Sequence, residues 1–205
     1  MPKKEVPVDH LQHYLPPGTS DAVLDYLHQH KVHLTISKHR QSILGDYRHR
    51  THHLNHRISV NGSLNPYAFL ITLLHELAHL LTFEKHTNKV HAHGKEWKTI
   101  YGQLLKQFLE HEIFPVDIKR ELLQSLKNPA ASSCSEEGLL RVLRNYDVKK
   151  TNHRLIEEIS FDALFRLQDG RVFQRGEKLR KRFKCKEVAT GKLYLFSPVY
   201  EVEEV

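Results

Sequence analysis

The sequence predicts an α+β fold: helices around a small sheet, then a small C-terminal β module. Three observations carry this expectation. Residues 66–81 form one long apolar-periodic run and read as a single helix. Two short segments ahead of it, residues 32–37 and 56–60, read as strands. Beyond residue 150 the pattern changes to short apolar stretches separated by Asp169-Gly170 and Thr190-Gly191, which are turn signals between strands.

Taken in order, Ser20-Asp21-Ala22-Val23-Leu24-Asp25-Tyr26-Leu27-His28 has the spacing of an amphipathic helix over residues 20–30, with Ser20 as its predicted N-cap. Strand 32–37 follows. Residues 48–56 are polar, irregular and rich in histidine; they read as a solvated connection rather than a second metal site. Strand 56–60 leads into the long helix. Thr82–Ala92 is a polar connection, and helices are predicted at 94–112, 116–127 and 136–146. Pro115 opens the second of these, where a missing N–H costs nothing. Residues 129–135 break the pattern, with Ser133 or Ser135 to cap the next helix. The expected organisation is a domain over 1–130, a helical linker over 131–150 and a basic β module over 151–205. Strands at 161–167, 171–173, 179–188 and 192–202 would pair there as two hairpins.

The long helix carries His75-Glu76-Leu77-Ala78-His79. Histidines four residues apart lie about 40° apart around a helix, close enough to share one Zn²⁺. A glutamate beside the first can take a proton from a water on that metal. With 17 His in 205 residues, chance produces such a pattern in roughly one comparable sequence in ten, so context must decide. Leu70, Leu73, Leu74, Leu77, Leu80 and Leu81 form a broad apolar stripe, and the His-Glu-His set lies off its centre. That is a helix with a buried back and a ligand-bearing front. A catalytic zinc keeps three protein ligands and one open position. The metzincin continuation requires Gly at 82 and His at 85, where this chain has Thr82 and Lys85. The candidates for a third ligand are therefore His86, His91, His93 and Glu96.

The order HExxH, a thirteen-residue gap and His93-Gly94-Lys95-Glu96-Trp97-Lys98 resembles the SprT-like family of zinc metallopeptidases, which includes the Spartan DNA–protein crosslink proteases. Leu34–Arg40, Leu44-Gly45-Asp46-Tyr47-Arg48 and Arg57–Asn61 extend the resemblance upstream, as a strand, a Leu-Gly-Xaa-Tyr turn and a second strand. The resemblance covers about residues 20–110. It implies a zincin-like minimal protease domain with His75, His79 and His93 as ligands and Glu76 as the acid/base. It also implies a protein substrate on or near DNA or the transcription machinery. In zincins an edge strand above the active helix pairs with extended substrate, a role expected here of one of the two predicted strands. Glu96 otherwise reads as an acidic residue in a helix's first turn, Trp97 as core packing, and Tyr101 as a candidate to stabilise an oxyanion.

The zinc ribbon built on two CxxC pairs, found in many relatives, has no counterpart here. Cys134 and Cys185 are the only cysteines, so a four-cysteine site is impossible, and Cys185 reads as a small buried residue. Net charge is +7, a balance that favours anionic partners. Nine Lys or Arg fall within residues 171–192, interleaved with Phe173 and Phe183 and followed by Tyr194 and Phe196. The bases suit nucleic-acid phosphates, while Phe183 and Phe196 are expected to pack the module's core. No stretch of eighteen apolar residues and no apolar leader occurs, so a cytoplasmic protein without a membrane span is expected. A zinc-containing nucleic-acid-associated binding protein with little proteolysis, and a closed structural zinc site, are the rival readings.

Overall fold

The computed structural model describes residues 8–38, 43–148 and 152–205. Helices and sheets both contribute, as an α+β fold requires, and the chain divides into two compact units, Met1–Asp147 and Val148–Val205.

The first unit begins with a 3-10 turn, Val8–His13, and helix α1, Ser20–Gln29. Ser20 is the first helical residue rather than the cap. Thr19 precedes it, and its hydroxyl donates back to the Pro16 carbonyl at 2.7 Å. Strands β1 (His33–Ser37), β2 (Gly45–Arg48) and β3 (Arg57–Asn61) form a sheet in the order β1-β3-β2. β1 and β3 are parallel, and β2 is antiparallel to β3. The Leu-Gly-Xaa-Tyr segment, expected as a turn, is thus a strand at the sheet edge. β3 is central, so it cannot be the edge that receives a substrate.

Helix α2 runs Pro66–His86, five residues beyond its predicted end. Pro66 sits in its first turn, and the Asn65 side chain caps it by accepting the Ala68 N–H at 2.9 Å. The residues Phe69, Leu70, Ile71, Leu73, Leu74, Leu77 and Leu80 are buried on nearly all sides. Length and composition alone would let α2 cross a membrane, but most of it is buried inside the unit, which marks a core helix. Helices α3 (Lys95–Glu110), α4 (Val116–Ser125) and α5 (Glu137–Leu143) follow, each shorter than predicted. Pro115 is the residue just before α4. Glu136 precedes α5 without a side-chain cap, and Ser135 bonds instead to the Ser132 carbonyl.

The expected linker over 131–150 is not separate. Cys134, Leu139 and Leu143 enter the same core as α2. The Asn65 amide also donates to the Leu143 carbonyl at 3.0 Å and to Asp147 Oδ1 at 2.6 Å. The first unit therefore reaches Asp147 because its central helix is capped from there.

The second unit is one antiparallel six-stranded sheet, not two hairpins. Strands β4 (His153–Leu155), β5 (Leu164–Arg166), β6 (Val172–Lys178), β7 (Phe183–Glu187), β8 (Leu193–Phe196) and β9 (Glu201–Glu204) take the order β4-β9-β5-β6-β7-β8. The predicted strand 192–202 breaks in two at Ser197-Pro198, because proline removes a ladder donor. The predicted strand 179–188 starts only at Phe183, after an exposed turn. Gly170 and Gly191 have positive φ, as turns between strands require. Phe165, Phe173, Phe183, Cys185, Phe196 and Val202 build the core.

Candidate metal centre

α2 and α3 bring three imidazoles together. His75 and His79 lie one turn apart on α2, and His93 sits just before α3, whose first residue is Lys95. One nitrogen from each of the three can be chosen so that all lie within 4.8 Å of one another. The Nε2 atoms of His75 and His93 face each other at 3.3 Å. Trp97, fully buried, forms the floor, with its ring centroid 4.7, 5.3 and 4.8 Å from those of His75, His79 and His93. Tyr101 stacks on Trp97 at 5.0 Å.

The electrostatics suit a cation. Burial and the neighbouring imidazoles push the His75 pKa down to about 3 and the His79 pKa down to about 4, and burial and Lys98 lower that of His93. All three rings are therefore neutral near pH 7, the state in which imidazole donates a lone pair to a metal. His75 Nδ1 is buried without a hydrogen-bond partner. A set of neutral, converging nitrogens fits a divalent metal that accepts imidazole ligands. His86, His91 and Glu96 stay outside the cluster. His86 closes the last turn of α2, and His91 is exposed, with its carbonyl accepting the Gly94 N–H.

Glu76 borders the same cleft. Burial first, and then the like charge of Asp46, raise its pKa to about 8. β2 passes very close to it. A Cβ on Gly45 would stand 2.5 Å from Glu76 Oε1 and 2.8 Å from Thr72 Cγ2, so only glycine leaves room for the carboxylate. The cleft has a volume of about 570 Å³, a size typical of ligand sites. Its walls come from β2, α2, the segment before α3 and Ala131–Ser133.

Two features were not visible in the sequence. Tyr47 on β2 lines the cleft, and its ring stacks parallel to His79 at 6.4 Å. Its hydroxyl lies 2.8 Å from His56 Nδ1, which also accepts the Arg50 N–H at 3.3 Å. An Nδ1 that accepts a backbone N–H carries no proton, so Tyr47 donates to it. The His56 Nε2–H then faces Glu84 Oε1 at 3.7 Å, and the other oxygen of Glu84 meets His30 Nδ1 at 2.7 Å. His56, expected in a solvated loop, is only 2% exposed. Burial and Glu84 hold the Tyr47 pKa well above its ordinary value. The rest of the loop, residues 49–55, is exposed as predicted. Tyr101, by contrast, is buried under the floor and does not line the cleft. The phenol at the site is that of Tyr47.

The SprT-like family profile matches residues 17–120, just over half of the chain. No curated protein and no solved structure matches it.

Proposed function

The chain belongs to the SprT-like family, and on that premise we propose that it is a zinc-dependent peptidase of zincin-like architecture acting on protein substrates. The observation that carries this reading is the convergence of His75, His79 and His93 with Glu76 on an open cleft bordered by the edge of a sheet. His75, His79 and His93 would hold the metal, and a group of three among the described residues would leave a position for water or substrate, which favours a catalytic over a closed structural site. Zinc bound there supplies a Lewis acid for a scissile carbonyl and an acidified water near neutral pH.

The chain's own residues do the rest. Glu76 accepts the proton of the attacking water and delivers it to the leaving amine. Gly45 keeps the space in which that carboxylate stands. β2, the edge strand lining the cleft, offers main-chain groups to an extended polypeptide, which explains tolerance of many sequences. Trp97 and Tyr47 fix the faces of the imidazoles. Cytoplasmic residence belongs to the same reading.

The test is cleavage of an unfolded protein by the zinc-loaded chain and by Glu76→Gln, with and without DNA. The variant should bind zinc normally and lose activity by about 10²–10⁴-fold. If both bind zinc and neither cleaves, the peptidase reading is lost.

A second reading, a zinc-containing nucleic-acid-associated protein with little proteolysis, draws on the β6–β7 turn. Lys178, Leu179, Arg180, Lys181 and Arg182 form an exposed tip there. Exposed bases of this density suit phosphates. Arg180→Glu combined with Lys181→Glu should weaken DNA binding and flatten its salt dependence. Unchanged, salt-independent binding would remove the module from the reading.

A further inference from the structure

His93 also lines a second depression, of about 470 Å³. His93, Lys95, Lys98, Leu126, Lys127 and Pro129 are among its walls. One stretch of chain flanks both spaces: Lys127 and Pro129 line the second, and Ala131, Ser132 and Ser133 line the first. The two depressions therefore share His93 as a wall and are flanked by the same segment, residues 127–133.

The charge around the second depression is one-sided. Lys98 Nζ donates to Asn128 Oδ1 at 2.6 Å, a neutral partner that leaves its charge uncompensated. Lys95 and Lys127 are exposed, and no described carboxylate forms an ion pair with any of the three lysines. The carboxylate on the same turn, Glu96, lies against Gly94, 3.3 Å from where a Cβ would stand, and offsets one of three positive charges. The start of α3, whose first N–H groups favour an anion without making a site by themselves, also lines the second depression. Leu126 and Pro129 add an apolar wall, which free phosphate would not use and a side chain would.

We propose that this depression is a specificity subsite for acidic side chains, Asp or Glu, on one side of the substrate's scissile bond. It rests on the peptidase reading for the identity of the ligand as a polypeptide. A chain lying along β2 and crossing the imidazoles continues into the depression, where its carboxylates meet Lys95, Lys98 and Lys127.

The experiment uses the full-length, zinc-loaded Glu76→Gln protein, which binds without turning over. The probes are fluorescein-labelled dodecapeptides of Gly, Ser, Ala and Leu, carrying three Glu or three Gln in one half or the other. Anisotropy should show about tenfold tighter binding for Glu than for Gln in one half only, in keeping with a few exposed ion pairs. Adding Lys127→Ala should reduce that preference, and Lys98→Glu with Lys127→Glu should transfer it to a peptide carrying three Lys. The Gln peptides serve as the control for folding, since their affinity should not move. Equal binding of Glu and Gln peptides overturns the proposal, as does a preference that survives the charge reversal. Tighter binding of a twelve-residue oligothymidylate through the same lysines overturns it in favour of nucleic acid. Cleavage of the same peptides by wild type is read separately. Acid-selective binding without cleavage retires the peptidase reading and leaves the subsite; cleavage without acid preference does the reverse.

Discussion

Each unit buries a glutamate, and the two are treated in opposite ways. Glu187, at 5% exposure in the β unit, receives the Thr190 hydroxyl and faces Arg171 at 3.7 Å. Glu76, at 6% exposure in the first unit, meets burial and the like charge of Asp46, and its pKa rises to about 8. The arginines follow the same division. In the β unit, Arg175 lies 4.2 Å over the Phe183 ring and Arg171 5.4 Å over Phe173, so their guanidinium planes cover the core. In the first unit the buried His75, Glu76 and Thr82 line a cleft. A buried carboxylate with its partners in place serves the fold; one without them has its proton affinity raised and is available for chemistry.

The contrast can be broken most severely at the cluster. His79→Ala should abolish zinc binding and lower peptidase activity by at least about 10³-fold, since three ligands are the minimum for a catalytic zinc. Metal analysis and cleavage assays read both, and the calorimetric transition of the β unit should not move. The reciprocal change is Phe173→Ala, which removes a fully buried ring. It should cost the β unit about 3–5 kcal/mol and leave zinc content intact. A fall in zinc content with it would show that the division of labour is wrong. Gly45→Ala should retain the metal and lower kcat/KM by about 10²-fold, because displacing a catalytic group by about 1 Å is that costly. An active Gly45→Ala enzyme would mean that the carboxylate works from another position.

The smallest effect is that of pH on the metal-free protein. Glu76 rises from 4.5 to about 8 on folding, so the native state holds its proton more tightly than the unfolded one. Stability from this group is present below about pH 4.5 and is lost as pH rises through about 8. His75 falls from 6.5 to about 3 and His79 from 6.5 to about 4, so their contribution is present above about pH 6.5 and lost as pH falls. Together they place the best stability of the metal-free cluster near pH 6.5. Thermal midpoints in a chelator should decline from pH 6.5 to pH 8 in wild type and less steeply in Glu76→Gln. Parallel slopes in the two proteins would mean that Glu76 is not the group titrating.

What could be read from the sequence was what repeats locally. His75 and His79 follow from helical periodicity, whereas His93 needed the family resemblance, because a thirteen-residue gap fixes no geometry by itself. Phe183, Phe196 and Cys185 were legible as core because they alternate along strands. β2 was not, since Gly45 and Asp46 are poor strand formers; close approach to Glu76 selects the glycine, and pairing with β3 supplies the strand. The end of α2 was placed too early because Thr82, Glu84 and Lys85 look like a loop, whereas Thr82 is buried with its hydroxyl on the Ala78 carbonyl and only Glu84 and Lys85 are exposed. The Tyr47–His56–Glu84–His30 chain draws on four separate elements and loops, so no window along the sequence contains it. The phenol of the cleft was therefore assigned to Tyr101 instead of Tyr47.

Asn65 sets a limit on how small the working protein can be. Its amide caps α2 at one end and holds Leu143 and Asp147 at the other. The stretch shared with the family ends at residue 120, well short of those partners. A fragment cut there would strand a buried amide, at a cost of about 1–3 kcal/mol, and uncover the apolar surface that α5 protects. It would also lose Ala131–Ser133 from the cleft wall. Residues after the family segment are thus part of the first unit's foundation, so family resemblance and structural autonomy end at different places in this chain. Limited proteolysis should release a stable fragment that reaches Asp147.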